Sequence, residues 1–595
     1  MMRFRGARAH RFAESPLLKL RLPAWRSRLM ALLILSCFAV LIGRSFYLQV
    51  LHNDFLQEKG ESRYRRDLEI SASRGRIADR NGEVLAISTP MKSVWAIPAD
   101  ARLTPEQGKQ LAGLLEMDVK ELSRKLASDK TFVFLQRQLP PDVGEKVAAL
   151  KLPGIGLNKE YRRFYPSGEM TAHIVGFTGV DDKGLEGVEL AYQSQLLGHP
   201  GSRSVIKDRR GQIVEDVGSI KSPQDGKDIR LALDSKIQYL AYSYLKQAII
   251  DNKAKAGGAV VVDAKSGEIL ALANWPTYNP NNREHLSGGQ LRNRAVTDTF
   301  EPGSTLKPFT IAQALESGKV RFDTIINCAP GKLTIGSATI SDAHPHGALT
   351  VAQVIQKSSN VGAAKIAGML TSQQMWDMFD AAGFGQVSRL GFPGEVSGRL
   401  RPWKTWRPIE QATMSYGHGI SVSLMQLARA YSVFAREGDM IPLTLTKQDS
   451  LPLGSVPVFS QQTAREVRAM LEMAVQPGGT APKAQIPGYR VAGKTGTAHK
   501  LEGGQYANKY VSSFVGFAPA SDPRLIVAIM IDEPSGGKHY GGDVAGPVFA
   551  GVMGGALRTL GIAPDAPLRA EGKSLGVQVA QSGNATKALP AKEKL

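Results

Sequence analysis

The chain is poor in cysteine. Its 595 residues include only Cys37 and Cys328, and Cys37 lies inside the apolar segment discussed below. Outside that segment Cys328 has no second cysteine to pair with, so an intrachain disulfide and a small disulfide-stapled scaffold are excluded. Hydrophobic residues make up 43% of the chain and charged residues 22%. These values argue against a polytopic membrane protein and against a mostly disordered chain.

The net charge is strongly positive, at +20. Such an excess is typical of proteins that bind nucleic acid, but the position of the charges decides whether that reading holds. The first 28 residues carry eight Lys and Arg against one Glu, so seven charges of the excess lie at one end. We therefore interpret residues 1–28 as a basic tail.

An uncharged apolar run follows this tail directly. It extends from Leu29 to Gly43, and after Arg44 the chain stays largely apolar as far as Leu51. About 20 apolar residues span a bilayer, and the aliphatic part of Arg44 can lie along the interface. We predict a single-pass anchor at 29–51, with the basic tail in the cytoplasm and the rest outside. A cleaved signal peptide is less favoured, because the following residues lack small residues at A-x-A spacing, and Leu35 is too bulky for a lipidation site at Cys37.

Two modules and a tail are predicted after the anchor. Residues 52–224 are basic and mixed, with strand-like runs such as Ser93–Ala99. From 225 to 562 the pattern predicts strands near both ends and helices between them, which indicates an α/β (α+β) domain with one mostly antiparallel sheet packed by helices. The last segment, 563–595, has no apolar period and is predicted to be disordered. The length of 595 residues therefore divides into an anchor, one smaller module and one large domain.

The first chemical motif is Ser304-Thr305-Leu306-Lys307. A serine and a lysine one helical turn apart share a face, and Glu301-Pro302-Gly303 before them predicts that Ser304 lies at a helix N-terminus. There its backbone N–H is free, and the helix dipole favours developing negative charge. The spacing alone is weak, because it recurs at Ser204, Ser243 and Ser535.

The second motif supplies another cation. Lys494-Thr495-Gly496 is the only Lys-Thr-Gly in the chain, and it lies in a strand-like stretch followed by Thr497. A serine needs a base, and a lysine acts as one only when burial or a second cation lowers its pKa. Gly496 would let a substrate backbone approach the strand edge, and Lys494 offers charge for a carboxylate. A surface strand with a turn glycine explains the motif equally well when it is taken alone.

The third motif is Ser358-Ser359-Asn360, in a short break between two predicted helices. Taken singly, helix capping is its more common role. The order of the three motifs is more specific than any one of them: serine-lysine, serine-asparagine and lysine-threonine-glycine form the triple of penicillin-binding proteins and serine β-lactamases.

The chain resembles a class B penicillin-binding protein of the division-specific type, a peptidoglycan D,D-transpeptidase. The resemblance runs from the anchor to about residue 560. It is carried by RGRIADRNG, EPGSTLKPFT, KSSNVG, MSYGHGISVS, VAGKTGTA and GGDVAGPVF. The asparagine at position 360 favours the division type, since elongation-type relatives tend to carry aspartate there.

The resemblance implies a role for each motif. Ser304 would be acylated by the D-Ala-D-Ala end of a stem peptide, and Lys307 would be the general base. Ser358 and Asn360 would relay a proton and orient Lys307 and the substrate amide. Lys494, Thr495 and Thr497 would hold the substrate carboxylate, and Gly496 would belong to the same substrate-binding strand. The N–H groups of Ser304 and Thr497 would form the oxyanion hole, and Tyr540 would line the pocket. No metal or other cofactor is implied.

The resemblance also implies partners and a location. The 52–224 module would be the family's non-catalytic pedestal or dimerisation module, which contacts a septal glycosyltransferase of the FtsW type and other divisome membrane proteins. The protein would be monofunctional, anchored in the inner membrane with a periplasmic catalytic domain, bound by β-lactams and without nucleic-acid partners.

Three alternatives stay open beside this interpretation. An elongation-type class B transpeptidase would share the motifs but not the division role. A serine β-lactamase would have no use for an anchor or for the module before residue 225. A β-lactam sensor or scaffold would be acylated without cross-linking.

Overall fold

A computed structural model describes residues 23–51, 65–207, 213–450 and 454–567. Most of the basic tail and of the predicted disordered tail therefore lies outside the described residues. Within them, one helix is long and apolar enough to cross a membrane: it runs over Ala24–Phe46 and continues as a π-helical turn to Leu51. Its most apolar 18 residues have a mean hydropathy of 2.2. This agrees with the predicted anchor, although the helix begins five residues earlier.

The chain divides into two compact units, each of which is built from segments that are not consecutive in the sequence. Among the described residues, the first unit contains those up to 72, then 92–159 and 199–224, and the second unit contains 73–91, 160–198 and those from 225 onward. Two segments from the predicted 52–224 module thus belong to the same compact unit as the predicted catalytic domain. The five-part division of the chain given above stays a prediction.

The first unit is a small α/β assembly. Leucine, valine and alanine side chains from two strands and three helices form its core, among them Val94, Leu111, Leu135 and Val147. The helix that starts at Pro105 is well specified locally, because Thr104 caps it reciprocally with Gln107. The elements of this unit are strands Arg65–Ile70, Val133–Leu139, Gly201–Lys207 and Ile213–Lys221, and helices Pro105–Leu114, Val119–Leu126 and Pro141–Ala149. Strands Val84–Ala96 and Ile155–Phe164 have residues in both units.

The second unit is built on one five-stranded antiparallel sheet. Its strands in chain order are β1 (Ala256–Asp263), β2 (Ile269–Trp275), β3 (Ala492–Glu502), β4 (Gln505–Ala518) and β5 (Leu525–Asp532). The spatial order is β2-β1-β5-β4-β3, so β3 lies at an edge. The predicted antiparallel sheet packed by helices is confirmed.

Both faces of this sheet are covered. All eight residues of β1 are buried, which explains its continuous apolar sequence. Side chains alternate between the faces: Val260 and Val262 join one hydrophobic cluster, while Ala259 and Val261 join the other. Helices α1 (Ser235–Asp251) and α6 (Gly546–Thr559) cover the second face, where glycines of α6 meet Leu240 and Tyr244 of α1.

Helices on the first face position the motifs. Those that matter for the site are α2 (Lys307–Glu316), α3 (Val351–Lys357), α4 (Asn360–Ala367) and α5 (Gln461–Val475). The other helices of this unit are Ala172–Val175, Gly187–Ala191, Gln193–Leu196, Gly288–Leu291, Arg294–Thr297, Ser372–Ala381, Pro408–Met414, Leu424–Ala430, Ser432–Ala435 and Gly541–Val544. Its short strands are Ile77–Ala78, Ile229–Arg230, Ile325–Asn327, Lys332–Ile335, Ala338–Ser341, Ala348–Thr350, Asp439–Met440 and Val456–Pro457.

A buried ion network ties together the segments before residue 225 in the second unit. Glu189 accepts hydrogen bonds from Arg74 Nε at 2.6 Å and from Arg163 Nε at 2.7 Å, and all three side chains are almost wholly buried. The Arg163 guanidinium also donates to the carbonyl of Gly75. One buried carboxylate is therefore the ion-pair partner of two buried guanidiniums, and Asp182 interacts electrostatically with both from a greater distance.

We expect Glu189→Ala to lower the free energy of unfolding by about 3–5 kcal/mol, because it leaves two buried guanidiniums without their counter-charge. Thermal and denaturant unfolding would measure the loss. The matched control is Asp228→Ala, which breaks the exposed Arg76–Asp228 pair and should cost at most about 1 kcal/mol. Equal effects of the two substitutions would contradict this account.

Candidate active site

Ser304 lies in the turn that starts helix α2. The one-turn 3-10 segment Gly303–Leu306 runs directly into α2, with Pro308 in its first turn. Gly303 has φ +57°, and its N–H donates to the carbonyl of Gly417 at 3.3 Å. The Tyr431 hydroxyl donates to the carbonyl of Thr305 at 2.7 Å. The predicted position of Ser304 at a helix N-terminus is confirmed, and buried contacts on both sides hold it.

Lys307 lies at the centre of the site. Its side chain is fully buried, and its Nζ lies 2.9 Å from Oγ of Ser304. It donates to the carbonyl of Ser358 at 2.5 Å and to Oδ1 of Asn360 at 2.8 Å. Oγ of Ser358 is 3.1 Å away. The structure thus brings three of the other predicted site residues around the amine of Lys307.

These contacts determine whether an N–H group or the lone pair of the Lys307 amine faces the hydroxyl of Ser304. The carbonyl of Ser358 and the amide oxygen of Asn360 can only accept, so each takes one N–H from Nζ. A neutral amine has two N–H groups, and its lone pair is then left for a serine hydroxyl, with Ser304 the nearer of the two. A neutral Lys307 is therefore placed to accept the proton of Ser304.

The surroundings favour the neutral form of this lysine. Burial lowers the pKa of Lys307 well below that of an exposed lysine, Lys494 lowers it further, and Asp342 opposes both effects. Burial also lowers the pKa of Lys494 to about 7. Desolvation disfavours an ammonium, and a neighbouring cation adds repulsion. The sequence-based expectation that a second cation would assist Lys307 agrees with this geometry.

Ser358 connects the two lysines. Its Oγ lies 3.1 Å from Nζ of Lys307 and accepts from Nζ of Lys494 at 3.0 Å. The residue ends helix α3 in the left-handed conformation, with φ 60° and ψ 39°. A non-glycine residue there costs about 1 kcal/mol or more. That conformation turns both its hydroxyl and its carbonyl toward Lys307, and Ser359 caps α4 in turn.

Asp342 is a site residue that the sequence did not reveal. Its carboxylate accepts from the N–H groups of Asn360 and Val361 and from the hydroxyl of Ser359, so it holds the N-terminus of α4. The side-chain amide of Asn360 donates to the carbonyl of Ser341 at 2.9 Å, which directs Oδ1 to Lys307. A carboxylate that caps a helix from a distant loop has no fixed spacing from it, so no motif could have indicated it.

Strand β3 supplies four more of the predicted residues, Lys494, Thr495, Gly496 and Thr497. Lys494 is fully buried, and its Nζ also lies 3.2 Å from Oγ1 of Thr495, which donates to Thr480 at 3.1 Å. Oγ1 of Thr497 accepts the N–H of Gly541 at 3.0 Å. The backbones of Gly303 and Thr497 approach closely, since a Cβ on Gly303 would lie 3.2 Å from the Thr497 carbonyl. The two predicted oxyanion residues, Ser304 and Thr497, are thus on adjoining segments.

Gly496 is needed for this close packing. A Cβ there would lie 2.3 Å from Oγ of Ser513, 2.7 Å from the carbonyl of Pro302 and 3.0 Å from Cγ2 of Thr305. In the structure, the backbone segment that approaches Gly496 closely is therefore the turn that carries Ser304. The substrate approach expected at this glycine stays a prediction.

We expect Gly496→Ala to slow acylation of Ser304 about 10- to 100-fold, because the added methyl group displaces the nucleophile turn. Stopped-flow kinetics with a chromogenic cephalosporin would measure the rate. Gly289→Ala is the control, since a Cβ at Gly289 has open space around it. An unchanged rate in Gly496→Ala would show that the turn tolerates the methyl group.

Tyr540 lies next to Gly541 at the end of this region. Its side chain is 52% exposed, and its ring packs on that of His539 with centroids 4.5 Å apart. The ring of His539 stacks in turn on Tyr510. The proposed contact of Tyr540 with substrate stays a prediction.

The segment Met414–Ser423 forms another wall of the site, for which the sequence indicated no role. The ring of Tyr416 lies 5.9 Å from Nζ of Lys307 and packs edge-on against His418. Burial lowers the pKa of His418 to about 4, so it stays neutral near pH 7. Glu301 accepts the N–H of Gly419 at 2.8 Å and the hydroxyl of Tyr506 at 3.1–3.2 Å.

No group of three or more metal-ligating side chains occurs among the residues that the structure describes. His344 and His346 lie in the loop that carries Asp342 and do not form such a group. The predicted mechanism needs no metal.

Comparison with known proteins places the chain in a class. The family model for the penicillin binding protein transpeptidase domain matches residues 257–554, and that for the penicillin-binding protein dimerisation domain matches 69–231. The chain therefore belongs to the penicillin-binding proteins, and the predicted family is confirmed.

Its relatives within this class have more specific names. The chain is 47% identical over 548 residues to the probable peptidoglycan D,D-transpeptidase PenA of Neisseria gonorrhoeae, covering 91% of this chain and 94% of the relative. It is 43% identical to the peptidoglycan D,D-transpeptidase FtsI of Escherichia coli, covering 91% and 93%. The solved transpeptidase domain of Burkholderia pseudomallei penicillin-binding protein 3 is 50% identical with a TM-score of 0.53, covering 57% of this chain and 98% of that one.

Proposed function

We propose that the chain is a peptidoglycan D,D-transpeptidase that forms an acyl-enzyme on Ser304. The observation that carries the proposal is the buried amine of Lys307, 2.9 Å from Oγ of Ser304 with two of its N–H groups engaged by fixed acceptors. The names of its relatives support the reaction class. Peptidoglycan is the substrate class of this family, and β-lactams are expected to bind in place of the donor.

In the first half-reaction, neutral Lys307 takes the proton of Ser304 as Oγ attacks the penultimate D-Ala carbonyl. The peptide bond breaks, the proton passes to the leaving amine, and terminal D-Ala departs. The N–H groups of Ser304 and Thr497 stabilise the oxyanion. Ser358, in contact with both lysines, relays the proton, and Asn360 keeps Lys307 oriented.

Strand β3 binds the donor in this proposal. It is an edge strand, so its outer backbone groups can pair with an extended peptide. Lys494, Thr495 and Thr497 hold the terminal carboxylate, and Gly496 keeps the strand close to the nucleophile turn. The carboxylate favours the ammonium form of Lys494, whose pKa burial has lowered to about 7.

The same proposal includes a location and partners. The apolar helix Ala24–Phe46 anchors the chain in the inner membrane, with the basic tail in the cytoplasm and the transpeptidase domain in the periplasm. The module that matches the dimerisation domain contacts a septal glycosyltransferase of the FtsW type and other divisome proteins. Asn360 and the FtsI name of a relative support a septal role over an elongation role.

A transfer assay tests the proposed activity. The purified protein is incubated with a synthetic stem peptide ending in D-Ala-D-Ala and with a D-amino acid as acceptor, and released D-Ala and the transfer product are measured. We expect both products from the wild type and neither from Ser304→Ala. Acylation by penicillin without any transfer would favour the sensor interpretation, and rapid penicillin hydrolysis would favour a β-lactamase.

Depletion in the native host tests the septal role. Loss of septal synthesis blocks division without stopping growth of the side wall, so we expect filaments. Rounded cells would instead support the elongation-type alternative. Unchanged shape with a lost response to β-lactams would support a sensor.

A further inference from the structure

Glu301 is a carboxylate on the segment that leads into the nucleophile turn, and the mechanism above does not use it. It precedes Ser304 by three residues, and among the described residues its hydrogen-bond donors are the N–H of Gly419 and the hydroxyl of Tyr506. Both donors are neutral, and no lysine or arginine lies at ion-pair distance from Glu301 among the described residues. The carboxylate therefore has no counter-charge there.

Glu301 is only partly buried, and its two hydrogen-bond partners lie at the surface. Gly419 is exposed, and the Tyr506 side chain, near the tip of the β3–β4 hairpin, is 52% exposed. Partial burial raises the pKa of Glu301, and the two hydrogen bonds counter this effect. An incompletely solvated anion beside an open surface attracts a cation more strongly than one fully in water does.

The second half-reaction brings a cation to this place. The acyl-enzyme is an ester on Ser304, and the acceptor amine arrives mostly as an ammonium. We propose that Glu301, with the hydroxyl of Tyr506, binds the protonated primary amine of the acceptor and places it beside the acylated Ser304. This inference rests on the proposed function and names a binding site for its second substrate.

The transfer step balances as follows. The bound ammonium releases one proton to water, and its nitrogen attacks the ester carbonyl. The new C–N bond forms, the C–Oγ bond to Ser304 breaks, and the second proton passes through Lys307 to Oγ. The products are an amide, free Ser304 and one proton. In this scheme Glu301 is a binding and positioning group, and Lys307 remains the base.

The test compares transfer with hydrolysis of the same acyl-enzyme. Glu301→Gln keeps an oxygen that can accept from Gly419 and Tyr506, so the loop is preserved while the charge is lost. With a stem-peptide donor and a D-amino acid acceptor, we expect the transfer-to-hydrolysis ratio to fall about 10- to 100-fold, through a higher KM for the acceptor amine. The rate of acylation by penicillin should change less than about threefold, which also shows that the site is folded.

Matched variants sharpen the result. Glu502 lies on the hairpin that carries Tyr506, and its carboxylate is paired with Lys509. Glu502→Gln removes this charge and should leave the transfer-to-hydrolysis ratio unchanged. Tyr506→Phe should lower the transfer-to-hydrolysis ratio less than Glu301→Gln does. The rate of transfer to an uncharged alcohol acceptor should not change in either variant. If the wild type and Glu301→Gln both transfer the acyl group to the amine acceptor with the same acceptor KM, this inference is wrong. If the wild type does not transfer at all, the proposed function itself fails.

Discussion

Replacing Ser304 with alanine is expected to abolish covalent labelling by a fluorescent penicillin, with a fall in the acylation rate of about 10⁴-fold or more. Of the two hydroxyls at hydrogen-bond distance from Lys307 among the described residues, the substitution removes the nearer one, which lies at the start of a helix. We expect the helix start to be preserved, because the hydroxyl of Ser304 is hydrogen-bonded to Lys307 and not to the helix backbone. Gel fluorescence after incubation with the drug measures the label.

Two other serines with the same S-x-x-K spacing serve as controls. Ser204 lies in strand Gly201–Lys207 and Ser243 lies within helix α1, so neither occupies a helix start beside a buried lysine. Ser204→Ala and Ser243→Ala should label like the wild type. Persisting label in Ser304→Ala, or its loss in either control, would overturn the assignment of the nucleophile.

Replacing Lys307 with alanine is expected to slow acylation about 10²- to 10⁴-fold, the usual contribution of a positioned general base. It also deprives Ser358 and Asn360 of their shared donor. Lys365→Ala is a control on helix α4, because its Nζ donates to the carbonyl of Asn327 away from the site. Rates come from stopped-flow measurements with a chromogenic cephalosporin.

The pH dependence of the wild type tests the same assignment. Only neutral Lys307 can accept a proton, so acylation should slow as the pH falls through its lowered pKa. At higher pH, loss of the proton from Lys494 should weaken carboxylate binding, and the profile should be bell-shaped. Because the lysines are coupled through Ser358, the two apparent pKa values belong to the pair. A rate that rises on acidification, or Lys307→Ala with wild-type kinetics, would contradict the role of the base.

The sequence predicted the parts of the site that follow fixed local patterns. The prolines and glycine around Ser304 predicted a helix start, and the structure has one. Alternating and continuous apolar runs predicted the antiparallel sheet, whose edge strand carries Lys494. The basic flank and the apolar run predicted the N-terminal helix.

What the sequence did not reveal depends on contacts between distant segments. Asp342 caps α4 from a loop, and Glu301 accepts a hydrogen bond from Tyr506, more than 200 residues away in the sequence. Residue 496 must be glycine because a side chain there would clash with the backbone of Pro302. The left-handed conformation of Ser358 follows from packing at the end of α3 and has no glycine or asparagine to indicate it. Such pairings have no characteristic spacing, so only the three-dimensional structure shows them.

The most direct test of the acyl-enzyme mechanism is to locate the acyl group itself. The protein is mixed rapidly with a D-Ala-D-Ala stem peptide, quenched in acid, digested with trypsin and sequenced by tandem mass spectrometry. Because trypsin does not cleave before Pro308, Ser304 lies in the peptide Ala295–Lys319. The account predicts the donor acyl group, lacking its terminal D-Ala, as an ester on Ser304. An acyl group on any other residue, or none under turnover conditions, would contradict it.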